Sequence, residues 1–236
     1  MTEPDQLELL KEPAEAQSYF CDPANQISMR TLSNKPNTGF RPGQLGALHS
    51  TIAHFSVNED PAVISLPTGY GKTAVIMALP FAFNARHVLV VEPTDVLRRQ
   101  TASHFKTLHT LRKLSVLPEG AANPAVWSIK GYPADWHRFE KYDVLISTPN
   151  SSSPIKDPKP PADFFDLVIF DEAHHAPADT WAAYLSYFTG ARFVFLTATP
   201  FRRDKKVIPG KLAYRYPVSK AAREKAFGKV RFVAAP

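Results

Sequence analysis

Short apolar runs alternate with amphipathic segments along most of this chain. The runs are rich in β-branched residues and have the length of buried strands, and they lie at 62–65, 88–91, 125–129, 143–147, 167–170 and 192–196. Apolar residues recur at helical spacing in the segments 45–55, 73–83, 96–108 and 178–188. Strands that alternate with helices at these lengths predict an α/β protein whose doubly wound, mostly parallel sheet has helices on both faces.

Polar clusters directly follow five of the predicted strands. They lie at 67–73, 93–100, 147–149, 171–175 and 197–200. In sheets of this kind, ligands bind beyond the carboxyl ends of the strands. We therefore expect one edge of one sheet to gather all of these clusters.

The segment 66–73 (Leu-Pro-Thr-Gly-Tyr-Gly-Lys-Thr) joins a predicted strand to a predicted helix through a glycine turn. Such a turn points backbone N–H groups and a helix N-terminus at one spot, which suits a polyphosphate anion. Lys72 would reach the β- and γ-phosphates, and the Thr73 hydroxyl would complete the shell of a Mg²⁺ ion. Leu66 stands where the strict pattern has glycine, so a glycine-rich turn with a surface lysine is the alternative for this segment alone.

Two carboxylates, Asp171 and Glu172, follow the apolar run 167–170 and would lie at the same sheet edge. Asp171 can hold Mg²⁺ directly or through water, and Glu172 can orient and deprotonate the water that attacks the γ-phosphorus. An acidic loop after a buried strand is the alternative. A phosphate loop in the same chain favours the catalytic interpretation, because the two halves support each other.

Gln44 begins the first predicted helix, just after Gly39-Phe40-Arg41-Pro42-Gly43. Its carboxamide has one acceptor and two donors, so it can match the N6/N7 edge of adenine with two hydrogen bonds. Without other context, an ordinary polar glutamine on a helix is the better interpretation.

These motifs, in this order, resemble those of superfamily 2 helicases and translocases of the DEAD/DEAH-box kind, over about Phe40–Arg203. Segment 39–44 resembles their adenine-reading Q-type element. Segment 66–73 resembles motif I, whose first glycine these helicases commonly lack. Asp171-Glu172-Ala173-His174 has the letters of motif II.

Three further segments resemble family motifs. Glu92-Pro93-Thr94, with Leu97 and Gln100, is similar to motif Ia, Ser147-Thr148-Pro149 to motif Ib, and Thr197-Ala198-Thr199 to motif III. The continuation 196–204 is most similar to DNA translocases related to the helicase subunits of type I and type III restriction enzymes.

The resemblance implies a RecA-like P-loop NTPase fold with ATP and Mg²⁺ as cofactors. It implies nucleotide contacts from Phe40, Arg41, Gln44, Thr68, Gly69, Tyr70, Gly71, Lys72 and Thr73. Its catalytic residues would be Lys72, Asp171, Glu172 and His174, and Thr73 and Asp171 would hold the metal.

The resemblance also implies a nucleic-acid partner. The nucleic-acid backbone would be held by Pro93, Thr94, Thr148 and Pro149. The ATP site would be coupled to these contacts by Thr197 and Thr199, together with His174. Gly131 either contacts the same backbone or forms a plain turn. DNA is expected rather than RNA, because of the similarity at 196–204.

The composition is that of an ordinary soluble globular protein, with 44% hydrophobic and 21% charged residues. No apolar run approaches the roughly 20 residues that cross a bilayer, and the polar, acidic first residues do not resemble a secretory signal. Cys21 is the single cysteine, which excludes an internal disulfide and a cysteine-based zinc site. We therefore expect a cytoplasmic protein without a membrane partner.

The net charge of +6 is unevenly distributed. Residues 1–30 contain six acidic and two basic side chains, whereas residues 201–236 contain eleven basic and two acidic ones. A basic segment of this density suits a polyanion such as nucleic acid, and a solvated lysine and arginine face is the alternative.

Three regions are expected. Residues 1–36 would form an N-terminal extension with a short helix near Leu7–Gln17, residues 37–204 the ATP-binding RecA-like lobe, and residues 205–236 the basic start of an interlobe connection. A second RecA-like lobe, which brings an arginine finger in this family, is absent from the chain.

Two functional hypotheses follow. In the first, the chain is the ATP-binding lobe of an ATP-dependent DNA helicase or translocase, completed by a second lobe and weakly active alone. In the second, it is a stand-alone, nucleotide-dependent nucleic-acid-binding or adaptor module with little turnover.

Overall fold

The computed structural model describes residues 18–31, 38–175, 178–199 and 208–227. The helix expected near Leu7–Gln17 and the end of the family resemblance, 200–204, lie outside these ranges. Within them, one sheet contains seven strands: β1 (Ala62–Ser65), β2 (Val88–Val91), β3 (Val126–Ser128), β4 (Val144–Ser147), β5 (Leu167–Phe170), β6 (Arg192–Thr197) and β7 (Lys211–Arg215). The order is β3-β4-β2-β5-β6-β1-β7 and each neighbouring pair is parallel, which confirms the predicted sheet.

The longer helices match the predicted periodic segments to within a few residues. The helices are α1 (Pro42–Val57), α2 (Lys72–Ala82), α3 (Asp95–Thr107), α4 (His109–Lys113), α5 (Pro149–Ser152), α6 (Ala178–Tyr187) and α7 (Val218–Arg223). Short 3-10 turns occupy Tyr19–Cys21, Pro23–Asn25, His137–Phe139 and Ala173–His175. Helices α4, α5 and α7 were not predicted, because helices of four to six residues are too short to establish a period.

Apolar side chains pack on both faces of the sheet. Successive strand residues point to opposite faces, so Ile64 joins one core cluster and its neighbour Val63 the other. The first cluster includes residues of α1–α4 and α7, and the second includes α6 with the aromatic residues near 136–139. No helix in the described ranges is long and apolar enough to span a membrane.

The described part of the N-terminal extension packs against the lobe. The Phe20 ring lies edge-on to that of Phe81, with the ring centroids 4.8 Å apart. The backbone N–H of Tyr19 donates to Asp143 Oδ1 at 3.1 Å, and that of Ser28 donates to the Val116 carbonyl at 2.8 Å. This segment therefore covers one end of α2 and contributes to the first core.

Strand β7 extends the sheet beyond β1, in a region that the sequence analysis assigned to a connection. Its residues are half-buried or exposed, and it pairs on one side only, so it lacks the continuous apolar run of a buried strand. Gly210 precedes it with φ +115°, and a Cβ at this position would lie 2.3 Å from the Pro61 carbonyl oxygen. Only glycine fits this approach of β7 to the start of β1.

We expect Gly210→Ala to lower the free energy of unfolding by about 2–4 kcal/mol, because a positive φ and a backbone collision act together. Chemical denaturation measures this change. Gly190→Ala is the matched control, since nothing lies within 4 Å of a Cβ there, and it should be close to neutral. Equal effects of the two substitutions would contradict the described position of β7.

Candidate nucleotide and nucleic-acid site

The segment 66–71 forms a tight turn between β1 and α2. Gly69 and Gly71 have φ values of +77° and +93°, and the Tyr70 N–H donates to the Pro67 carbonyl at 3.1 Å. Helix α2 begins at Lys72, so its first backbone N–H groups lie at this turn. The turn therefore has the backbone arrangement that binds phosphate groups at a helix N-terminus.

The phosphate loop and the two carboxylates lie together, as the order of the strands requires. Strand β6 separates β1 from β5, so the segments that follow β1 and β5 flank its carboxyl end. The Lys72 ammonium lies 2.5 Å from Glu172 Oε1, and both side chains are largely buried. The Glu172 N–H donates to Asp171 Oδ1 at 2.8 Å, which fixes the two acids relative to each other.

Asp171 and Thr73 are chemically suited to Mg²⁺. A hydroxyl and a carboxylate are the hard oxygen donors that this ion prefers, and a nucleotide site leaves its other positions to phosphate oxygens and water. Burial raises the pKa of Asp171 to about 6, and the Lys72 charge opposes that rise. A nearby cation would favour the ionised carboxylate further.

The Gln44 carboxamide holds the phosphate loop from the N-terminal end of α1. Its Nε2 donates to the Gly71 carbonyl at 2.9 Å and to the Tyr70 carbonyl at 3.3 Å, and its Oε1 accepts from the Arg41 N–H at 2.9 Å. Both ends of the amide are therefore engaged within the protein. Contact between Gln44 and adenine remains a prediction. It requires Gln44 to replace one of these hydrogen bonds by a hydrogen bond to the base.

Arg41 and Phe40 complete the predicted nucleotide side of the site. The Arg41 guanidinium donates to the Tyr70 carbonyl at 3.2 Å and lies 5.5 Å from the centroid of the Tyr70 ring. Phe40 is buried in the first core, so its contribution is to packing around the loop.

A cleft of ≈ 1010 Å³ extends from the two acids along the sheet edge. The four residues predicted to hold nucleic acid all line it: Pro93, Thr94, Thr148 and Pro149. Asp171, Glu172 and His174 lie in its wall, together with Thr68 and Thr199. The cleft therefore joins the two predicted catalytic acids to the predicted nucleic-acid contacts.

The N-terminus of α3 opens into this cleft. Thr94 is its N-cap, and its hydroxyl accepts from the Leu97 N–H at 3.3 Å. Lys130 and Gly131 line the cleft as well, and a Cβ on Gly131 would meet nothing within 4 Å. This position is compatible with a backbone contact from Gly131, one of the two alternatives that the sequence left open.

The predicted coupling residues form a chain of polar contacts. His174 Nδ1 lies 3.4 Å from Glu172 Oε2 and 2.9 Å from Thr197 Oγ1. The Thr197 hydroxyl donates to the Thr199 carbonyl at 3.0 Å and accepts from the Thr199 N–H at 3.1 Å. A path of direct contacts thus runs from Glu172 to Thr199.

The environment of Glu92 was not predicted from the sequence, in which this residue was assigned only to a motif. The side chain is fully buried, and its Oε1 accepts a hydrogen bond from the Thr101 hydroxyl at 2.6 Å. Its Oε2 has no hydrogen-bond partner. Burial, with the nearby Asp171 charge second, raises the pKa of Glu92 to about 7. A charged residue at the end of a β-branched strand was the available signal.

Arg98 is the second residue whose contribution was not foreseen. Its guanidinium is buried and donates to Ser128 Oγ at 2.7 Å, to the Ile129 carbonyl at 2.9 Å and to Asp95 at 3.0 Å. These contacts fasten α3 to β3. They therefore fix the position of Thr94, at the start of the same helix, in the cleft.

The raised pKa of Glu92 predicts a pH dependence of stability. The folded state holds the Glu92 proton more tightly than the unfolded state, so Glu92 costs stability as pH rises from about 4.5 to about 7. Between pH 5 and pH 8 we expect the wild type to lose about 1–3 kcal/mol more stability than Glu92→Gln. Urea denaturation at the two pH values measures the difference.

The exposed Glu119 in the loop before β3 provides the control, since Glu119→Gln should keep the wild-type pH dependence. The same pH dependence in Glu92→Gln and in the wild type would show that Glu92 does not titrate in this range.

Known proteins are similar to this chain in sequence or in fold. A type I restriction enzyme EcoAI endonuclease subunit from Escherichia coli is 28% identical over 164 residues, which are 66% of this chain and 19% of that protein. The DNA 3'-5' translocase XPB2 of Sulfurisphaera tokodaii is 26% identical over 176 residues, 70% of this chain and 34% of that protein. The UvsW helicase from bacteriophage T4 has a similar fold, with a TM-score of 0.55 at 19% identity over 80% of this chain and 63% of that chain.

This chain spans less than two thirds of the length of each of these proteins. The similarities and the parallel sheet confirm the predicted RecA-like fold and an ATP-binding helicase lobe related to restriction enzymes. The sequence profile of one family, described as "Type III restriction enzyme, res subunit", matches residues 37–202. That match covers more than half of the chain, which therefore belongs to this family.

Proposed function

We propose that this lobe hydrolyses ATP to move on or remodel DNA when a second RecA-like lobe completes its site. The observation that carries the proposal is the contact of the Lys72 ammonium with the Glu172 carboxylate, at the turn where α2 begins. This contact supports the proposal, because a lysine at the loop would bind the triphosphate and a carboxylate beside it would activate water.

Without nucleotide, Lys72 and Glu172 neutralise each other. A triphosphate entering the loop offers Lys72 several anionic oxygens in place of one carboxylate. Lys72 would then turn to the phosphates, which leaves Glu172 free to orient a water molecule and accept its proton. Hydrolysis therefore requires the nucleotide to break this ion pair, because Glu172 can accept a proton from water only after Lys72 has left it.

Thr73 and Asp171 would hold Mg²⁺, which when bound neutralises charge on the phosphate oxygens. The chain itself supplies the donors of the first turn of α2 and the positive charge of Lys72. Phosphoryl transfer needs mainly positioning and charge stabilisation, so these groups account for most of what one lobe can contribute.

The cleft supports binding to the nucleic-acid backbone. Several groups in the cleft can donate hydrogen bonds to phosphate oxygens. They are the backbone N–H groups at the start of α3, the hydroxyls of Thr94 and Thr148, and the Lys130 ammonium. Such contacts read no bases, which suits movement along any sequence. The path from Glu172 through His174 to Thr199 would transmit the state of the nucleotide to this surface.

DNA is the proposed partner because one relative is named as a DNA translocase and another as a restriction enzyme subunit. The basic segment 201–236 adds positive charge for a polyanion. A stand-alone adaptor is not favoured, since Lys72, Asp171 and Glu172 keep the arrangement that hydrolysis needs.

Lys72→Ala and Glu172→Gln should separate binding from hydrolysis. Lys72→Ala removes the charge that contacts phosphate, so we expect ATP affinity to fall by at least about tenfold. Glu172→Gln keeps the size of the side chain but loses its basicity, so ATP should still bind while turnover falls by at least about a hundredfold. A fluorescent ATP analogue and a phosphate-release assay measure the two effects.

Lys113→Ala, at an exposed lysine of α4, is the matched control for loss of a positive charge and should bind ATP normally. Normal hydrolysis by Glu172→Gln would remove Glu172 from the role of general base. Unchanged affinity in Lys72→Ala would refute the proposed phosphate site.

The need for a second lobe predicts slow turnover by this chain alone, even with DNA present. An arginine finger from a second lobe is worth about 10³–10⁵ in rate. Adding the cognate second lobe as a separate polypeptide should therefore raise DNA-stimulated phosphate release by at least about a hundredfold. Rapid turnover without that lobe would contradict this part of the proposal, and no stimulation by it would favour the adaptor.

A further inference from the structure

A row of three tyrosines connects the segment 208–227 to the phosphate loop. Tyr214 and Tyr216 are stacked with their ring centroids 6.3 Å apart, and Tyr216 lies 4.9 Å from Tyr70, the residue between the two loop glycines. The row packs on the glycine face of α1, because a Cβ on Gly43 or Gly46 would lie within 3 Å of these rings. The family match ends at residue 202, before this segment begins.

One carboxylate joins the end of this row to α7. Glu224 Oε2 accepts a hydrogen bond from the Tyr70 hydroxyl at 2.6 Å, and Glu224 Oε1 accepts one from the Tyr216 hydroxyl. The Tyr70 hydroxyl also accepts from the Gly43 N–H at 3.1 Å, at the start of α1. Burial, followed by the hydrogen bond to Glu224, raises the pKa of Tyr70, so its hydroxyl stays protonated and acts as the donor.

The loop needs such an anchor because of its own composition. Gly69 and Gly71 both adopt positive φ, and glycine loses more backbone freedom on ordering than any other residue. Tyr70 lies between them and is fully buried, so its side chain packs in the core on the far side of the turn from Leu66, which is also buried there. Phe227, in the same segment, lies beside Gly69: its ring would be 3.8 Å from a Cβ at that position.

We propose that Tyr216 and Glu224 are positioning residues for nucleotide binding: by holding the Tyr70 hydroxyl they keep the phosphate loop in its phosphate-binding arrangement. A loop ordered in advance binds its ligand more tightly, because less ordering is left to the binding step. The inference rests on the proposed function, since it concerns the same phosphate site. It makes the segment 208–227 part of that site.

Coupling between two sites is reciprocal, so a nucleotide that orders the loop must also stabilise the segment that holds it. ADP with Mg²⁺ should therefore slow amide hydrogen exchange in β7 and α7, although neither contains a predicted nucleotide contact. With a purely structural role for the tyrosines, β7 and α7 would gain no more protection than the rest of the sheet gains from ligand binding.

The test uses the full chain and a fluorescent ADP analogue with Mg²⁺. Glu224→Gln leaves one acceptor oxygen for two donating hydroxyls, and Tyr216→Phe removes one of those donors. Each change should weaken ADP binding by about 3- to 10-fold, and Glu224→Ala, which removes both hydrogen bonds, by more.

Two controls match these changes. Tyr187→Phe removes a tyrosine hydroxyl that donates to the Pro160 carbonyl at 2.7 Å on the other face of the sheet, and Glu119→Gln removes an exposed carboxylate. Both should bind ADP as the wild type does. Thermal unfolding of every variant identifies any loss of affinity that comes only from reduced stability.

The outcomes separate this inference from the proposed function. Two results together support the inference. ADP binds more weakly to Glu224→Gln and to Tyr216→Phe than to the wild type. ADP also slows amide exchange in residues 211–224 of the wild type, and this protection is smaller in Tyr70→Phe. Wild-type affinity in both variants, or exchange in 211–224 that ADP does not change, overturns it while the phosphate site stands. Absence of ADP binding by the wild-type chain overturns both.

Discussion

The ion pair between Lys72 and Glu172 is the contact on which the organisation of this lobe depends. It joins Lys72, the first residue of α2, to Glu172, the second residue after β5. Helix α2 follows β1, and β6 lies between β1 and β5 in the sheet. The parallel sheet brings both to one edge, because every strand ends there. A change in strand order would leave a glycine turn and an acidic loop with no common ligand. In the proposed function, a phosphate chain would replace the carboxylate as the partner of Lys72.

The surroundings of this ion pair are built to limit movement. Gln44 and Arg41 hold the backbone of Tyr70 from the start of α1, while Glu224 holds its side chain from α7. On the opposite side, His174 connects Glu172 to the end of β6. The loop between the two glycines is thus held by hydrogen bonds from two sides, from the start of α1 and from the end of α7. A backbone held in this way would need little reordering when a highly charged ligand binds, although the Lys72 side chain would change its partner.

Much of the fold and part of the site could be predicted from the sequence. Strands β1–β6 were predictable because a strand buried on both faces of a sheet has a continuous β-branched pattern. The four longer helices were predictable because an amphipathic helix shows a 3.6-residue period. Strand β7 was not, since it pairs on one side only and is half-exposed. The proximity of Lys72 to Glu172 followed from the order of the strands. The engagement of both ends of the Gln44 amide and the burial of Glu92 did not, because they depend on contacts distant in sequence.

The central claim is that a triphosphate binds between the glycine turn and the two acids, with Lys72 exchanging one anionic partner for another. A crystal structure of the chain with a non-hydrolysable ATP analogue and Mg²⁺ tests it most directly. The account predicts that the Lys72 ammonium leaves the carboxylate, 2.5 Å away in the free chain, and contacts the terminal phosphates. An analogue bound elsewhere, with the Lys72–Glu172 ion pair intact, would contradict it.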